Sequence, residues 1–144
     1  MRYFTKEWYA LCQEYGSTFH DKARKAVLQK QLDAISEAYR RATERERLPQ
    51  NMRESFTFHD GEILSIQFET DYILTVNSPF SPYNRIIFRN AMVKQDIISI
   101  GSVWLYEELY HHALGYEAHI LCGSKSGLLD TKIICTEIII EQSK

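Results

Sequence analysis

An α+β fold, two N-terminal helices (one of them long) packed on a mainly antiparallel sheet of about six strands, is what this sequence predicts. Three observations carry the prediction. Up to Arg53 apolar residues recur at intervals of three and four, the period of a helix. Beyond Arg53 they alternate, and β-branched and aromatic residues become frequent, as strands require. No linker rich in Gly or Ser and no internal repeat divides the chain, so residues 1–144 read as one domain with a helical segment at 1–53 and a β segment at 54–144. At 44% hydrophobic and 12% aromatic content, 144 residues suffice for a substantial core.

The elements follow in order. Thr5 is placed to cap a first helix, Glu7 lies in its first turn, Phe4 and Tyr9 match a hydrophobic staple, and Gly16 offers a stop. A second helix is expected from Ser17 or Thr18, with Asp21 three residues on as in a capping box. Phe19, Ala23, Val27, Ala34, Ile35, Ala38, Tyr39 and Ala42 make its apolar stripe, and Pro49 ends it after about 30 residues, roughly 45 Å. Then Leu64, Ile66 and Phe68 alternate with Ser65, Gln67 and Glu69, and Thr70-Asp71 turns the chain into YILTVN. SPFSPYN, with two of the three prolines, is a loop. RIIFRNAMVKQDIISI supplies one or two strands, VWLYEELY and YEAHILC flank the loop HHALG, and LLDTKIICTEIIIE reads as one long last strand.

Composition limits the function classes. The net charge of −2 predicts neither nucleic-acid nor membrane affinity, so no direct nucleic-acid contact and no membrane partner is expected. That sum hides a split: residues 1–54 hold 11 Lys and Arg against 8 acids, residues 55–144 hold 6 against 11. Cys12, Cys122 and Cys135 form no CxxC pair and lie in apolar stretches, which predicts buried free thiols in a reducing, cytoplasmic setting. MRYFTKEWY lacks the apolar region of a signal peptide, and no run reaches the roughly 18 apolar residues of a membrane helix. There is no phosphate-binding glycine loop, no GxSxG, no kinase signature, and with six glycines no cofactor is expected.

Two places hold residue types that carry chemistry. In FTFHDGEILSIQF, His59 and Asp60 have the makings of a base and its orienter, but neighbours in a strand point to opposite faces and no nucleophile stands beside them. Asp60-Gly61 is instead a strong turn signal. Either it folds Phe56 and Phe58 back on Leu64 and Ile66, or the strand opens at His59 with Asp60 bonding nearby amides and Gly61 allowing a bulge. The second place is the 104–122 hairpin, where His111, His112 and His119 accompany Glu107 and Glu117. With Tyr110 opposite Tyr116, Glu107 would face His119 with Glu117 on the same side, a metal-ligand set or a cross-strand ion pair. The other face would carry Trp104, Tyr106, Tyr110, Tyr116, Ala118, Ile120 and Cys122, as core or as an interface.

Two stretches are similar to known families. MRYFTKEWYALCQ resembles the opening of a bacterial family of unknown function that begins YFTKEWY and carries a later HD-initiated strand and a WLYEE…GYE hairpin. Here these would be His59-Asp60, Trp104 to Glu108 and Gly115 to Glu117. FHDGEILSI is similar to a strand of small immunity proteins of bacterial toxin systems. Neither resemblance brings a catalytic residue with it, and the missing catalytic motifs favour a non-enzymatic binding protein. The expected function is an immunity-type module holding a basic toxin domain, with Glu62, Glu69, Asp71, Glu107, Glu108 and Glu117 as an acidic face and Tyr110 and Tyr116 as anchors. The alternative is a small metal-dependent hydrolase using His119, Glu117 and either Glu107 or a loop histidine.

Overall fold

Thr5 does cap the first helix, α1 (Lys6–Ser17): its hydroxyl accepts the Trp8 amide at 3.2 Å. Gly16 lies inside the last turn, and the helix closes at Thr18, whose hydroxyl donates to the Glu14 carbonyl. The second helix, α2 (Lys22–Glu46), therefore starts later than expected, capped by Asp21 through the Arg24 amide at 2.9 Å. Arg47, with φ 52°, ends it after 25 residues. Pro49 is not its stop but the cap position of a short third helix, α3 (Gln50–Ser55). The buried side of α2 is also rotated from the expected stripe. Leu28, Leu32 and Thr43 are buried with Ile35 and Tyr39 half-buried, while Phe19, Ala23, Val27, Ala34 and Ala38 face solvent. Both stripes have helical spacing, and the one observed buries the larger Leu28 and Leu32 side chains in place of Ala23, Val27, Ala34 and Ala38.

The computed structural model, which describes residues 1–143, is an α+β arrangement in which these N-terminal helices pack with one antiparallel sheet. The sheet has eight strands rather than about six: β1 (Gly61–Phe68), β2 (Tyr72–Asn77), β3 (Arg85–Arg89), β4 (Met92–Gln95), β5 (Val103–His112), β6 (Gly115–Ser124), β7 (Gly127–Cys135) and β8 (Glu137–Glu141). Their order is β4-β7-β6-β5-β1-β2-β3-β8. The extra strands come from kinks. β3 and β4 are halves of one stretch bent at Asn90-Ala91, β7 and β8 halves of another bent at Thr136, and the pairs Arg89 with Glu137 and Met92 with Ile134 keep one register across the bend. The bend is pinned by the Thr136 amide on the Arg89 carbonyl (3.0 Å), the Ala91 amide on Thr70 (2.9 Å) and Asp71 accepting the Asn90 amide (3.0 Å). Because each bent stretch belongs to both ends of the strand order, the sheet folds over and encloses one core.

Phe56 and Phe58, arriving from α3, enter that core against Trp104 at ring distances of 5.8 and 5.2 Å. They do not fold back along β1. The chain makes a tight turn at His59-Asp60, closed by the Gly61 amide on the Phe58 carbonyl, and β1 opens there. Two bulges then decide which side chains face inward. One lies between Ile63 and Ser65, so Ile63 is buried and Leu64, expected inside, is 49% exposed. The other lies between Trp104 and Tyr106 and splits the expected aromatic stripe. Trp104 joins Ala118, Ile120 and Cys122 in the core, whereas Tyr106 and Tyr110 face the helices. The cysteines are free; Cys122 and Cys135 are buried, which pushes both thiols up to about 12, and Cys12 is half-buried. Among the described residues, no helix is long and apolar enough to cross a membrane.

Candidate functional site

The register of the 104–122 hairpin places its ionisable residues differently from the expectation. Tyr110 pairs with Glu117, not Tyr116, and Glu108 rather than Glu107 stands opposite His119. The slip of one position sends Glu107 to the other face. The ligand set Glu107, Glu117 and His119 is therefore not assembled, and His111 and His112 lie at the far end of the hairpin, His111 stacked on Tyr116. Among the described residues no group of three or more His, Cys, Asp or Glu side chains is placed to hold a metal ion.

What the helix-facing side carries instead is a clamp for the chain's own N-terminal segment. Glu108, fully buried, accepts the backbone amides of Arg2 (2.8 Å), Tyr3 (2.7 Å) and Phe4 (2.7 Å) and the Tyr110 hydroxyl (2.9 Å). The Arg2 guanidinium lies over the Tyr110 ring at 3.9 Å and donates to Glu117 at 3.1 Å. Glu117 also receives Lys132 at 3.0 Å and His119 Nε2 at 2.7 Å. Burial alone would raise the Glu117 carboxyl, but the hydrogen bonds from His119, Lys132 and Arg2 win and hold it at about 2. Burial pushes His119 below its usual value, and since a carboxylate only accepts, Nε2 carries the proton and Nδ1 has no partner among the described residues. Met1 nitrogen lies 2.9 Å from Asp130. The stretches YFTKEWY, WLYEE and GYE thus meet at one place, although more than a hundred positions separate Arg2 from Glu117.

Of the expected acidic face, Glu108, Glu117 and Tyr110 are buried in this clamp and unavailable as a surface. Asp71 is engaged by Arg89 and the Asn90 amide, and Tyr116 is half-buried on His111. Glu62 and Glu69 remain exposed, without an ion-pair partner among the described residues. Glu62 sits in an outward patch that the expected pattern missed. Val103 is its cross-strand partner, Leu64 follows it, and Ile100 (66% exposed) precedes Gly101, whose amide bonds the Ile63 carbonyl. Leu64 had the alternation of buried residues, and the bulge at Ile63/Ser65 turns it outward.

His59-Asp60 lies at one end of this patch. His59 Nδ1 bonds the Leu105 carbonyl, freed by the bulge in β5, and its ring packs between Phe80 and Tyr106. The Ser78 hydroxyl donates to the His59 carbonyl at 3.1 Å. Asp60 has φ 57°, a left-handed conformation that Asp tolerates, and among the described residues its carboxylate makes no bond to a backbone amide, unlike one of the two alternatives read from the sequence; its neighbour is His59 Nε2 at 3.7 Å. Gly61 is required by close approach: a Cβ there would meet the Phe58 oxygen and Val76 Cγ1 at 2.6 Å each.

Glu107 occupies a third place. It lines a cleft of about 310 Å³ between α2, α3 and β5, with Phe4, Tyr39, Leu48, Phe56, Tyr106 and Leu109 as apolar walls. Its carboxylate accepts the Trp104 indole N–H at 2.6 Å. Burial raises it to about 7, against smaller opposing effects from Trp104 and Thr57. Comparison with known protein families, characterised proteins and solved structures finds no match for this chain.

Proposed function

We propose that this chain is a non-catalytic protein-binding module of the immunity type, whose partner is a basic toxin domain. The observation that supports this most is the outward patch of Leu64, Ile100 and Val103 flanked by the carboxylate of Glu62, which has no ion-pair partner among the described residues. An apolar centre with an acidic rim is the composition of a protein interface, and the acid steers a basic partner during encounter. Phe80, 64% exposed beside His59, extends the patch at the Asp60 end, and Glu69 adds charge beyond the other end of β1. The engagement of Glu108, Glu117 and His119 in holding Arg2, Tyr3 and Phe4 favours the same reading, because it leaves that cluster structural work rather than a free base.

The test reads the frames adjacent to the gene for a small basic toxic domain and coexpresses the chain with it; adjacent frames that encode no such domain count against the proposal. The parent sequence should restore growth, and the double change Glu62→Lys with Leu64→Asp should abolish the rescue while leaving Tm unchanged, since both side chains face solvent. With purified components, association should slow between about 10 mM and 150 mM salt, where the screening length falls from roughly 30 to 8 Å. Rescue indifferent to the double change, or an association rate indifferent to salt, removes the proposal.

A further inference from the structure

Beyond Trp104, β5 has no pairing partner on the β1 side among the described residues. The Tyr39 hydroxyl accepts the Leu109 amide at 3.2 Å and Glu46 accepts the His111 amide at 3.0 Å, so α2 covers that open edge. The cover is incomplete. The cleft left over is bounded by four aromatic rings, those of Phe4, Tyr39, Phe56 and Tyr106, with Phe4 set edge-on to Tyr39 at 4.8 Å and tilted against Tyr106 at 5.8 Å. Its volume of about 310 Å³ suits a ligand of roughly ten heavy atoms.

One carboxylate reaches this aromatic space, and among the described residues it has neutral donors, Trp104 and the Thr57 hydroxyl, but no ion pair. Trp104 gives Glu107 a single neutral hydrogen bond at 2.6 Å. Arg53 borders the cleft from α3 but is exposed and makes no ion pair with Glu107 among the described residues. The other titratable groups facing it are Tyr39 on α2 and Tyr106 on β5, both phenols held above their usual range by burial and so neutral. A half-buried carboxylate without an ion-pair partner among the described residues, in a cleft lined by four aromatic side chains, favours a cation over an anion or a neutral group.

We infer that the cleft between α2, α3 and β5 is a binding site for a small organic ammonium ion with an apolar or aromatic body, held by the carboxylate of Glu107. An anion would meet the like charge of Glu107, and a neutral ligand would leave that charge uncompensated. The ammonium group donates to the carboxylate oxygens, and the body replaces water against Leu48, Leu109 and the four rings. Because Glu107 titrates near pH 7, about half of it is protonated there, and an ammonium ligand must displace that proton. This site is separate from the β1 patch, and neither depends on the other.

The test is calorimetric titration of the full chain with phenethylamine, against its neutral isostere 2-phenylethanol, at pH 7 in two buffers of different ionisation heat. The amine should bind at least tenfold more tightly, release about half a proton, and weaken roughly tenfold per pH unit below pH 7. Glu107→Gln, which keeps an acceptor for Trp104, should erase both the preference for the amine and the proton release. Thr43→Met, which adds bulk to the cleft from α2 without touching Glu107, should block both probes. Equal affinity for the two probes, proton uptake in place of release, no saturable heat up to about 10 mM, or unaltered binding in either variant would overturn the inference.

Discussion

Glu108→Gln is the sharpest probe of how the N-terminal segment is held. In the parent chain one oxygen of Glu108 accepts Tyr3 and Phe4 amides and the other accepts the Arg2 amide and the Tyr110 hydroxyl, all at 2.7 to 2.9 Å. Glutamine keeps one accepting oxygen and presents an NH₂ in place of the other. If the oxygen stays with Tyr3 and Phe4, the NH₂ meets the Arg2 amide donor to donor, stranding it at about 1–3 kcal/mol. The two retained bonds change from charged to neutral acceptors, roughly another 1 kcal/mol together. The sum, about 2–4 kcal/mol, corresponds at this chain length to a Tm lowered by roughly 6–12 °C. The loss has a ceiling, because residues 1–4 can swing into water once their undocking costs less than the mismatch. Amide exchange at Tyr3 and Phe4 distinguishes the two outcomes, since undocking exposes those amides while a docked mismatch leaves them protected. A Tm within about 2 °C of the parent together with unchanged protection at all three amides would show that Glu108 does not anchor the segment.

Other consequences follow from the same geometry. Glu107 has a folded value of about 7, above its ordinary 4.5, so the stability it contributes is complete below pH 4.5 and is lost as pH rises to 7; Glu107→Gln should flatten that fall and raise stability at pH 8 by about 1–2 kcal/mol, read from urea midpoints at pH 5 and 8. Glu117, held at about 2, has the opposite sign: its contribution is present above pH 4.5 and is lost as pH falls from 4.5 to 2. Arg2→Met, by removing one of its donors, should move the acid-unfolding midpoint to higher pH, and an unmoved midpoint would detach Arg2 from the pair. Gly61→Ala puts a methyl 2.6 Å from the Phe58 carbonyl, which is fixed by the turn, and should cost about 1–3 kcal/mol in chemical denaturation; a neutral effect would mean the turn relaxes freely.

Local chemistry was legible in the amino-acid sequence wherever a residue acts on its near neighbours. Thr5 as a cap, the change of period after Arg53, the loop at residues 78–84 and the turn at Ala113-Leu114, tighter than the expected HHALG loop because His111, His112 and Gly115 lie in strands, all rest on interactions within a few positions. They suffice for helices followed by an antiparallel sheet. The sequence carried no mark of the bulges at Ile63/Ser65 and Trp104/Tyr106, because an extra residue in a strand is defined by its partner strand. Each bulge shifts alternation by one position, and with a period of two a shift of one exchanges inside for outside. That is why Leu64 lies on the surface and why Tyr106 parts from Trp104. The bend at Asn90 and Thr136 was hidden for the same reason, being made by Thr70 and Asp71 of the turn between β1 and β2 and by the Thr136 amide bonding Arg89 across the sheet. The clamp joins Arg2 to Glu117 across 115 positions, and whether Glu117 is a surface acid or the buried partner of Arg2, Lys132 and His119 is decided only when β5, β6, β7 and the N-terminal segment are brought together.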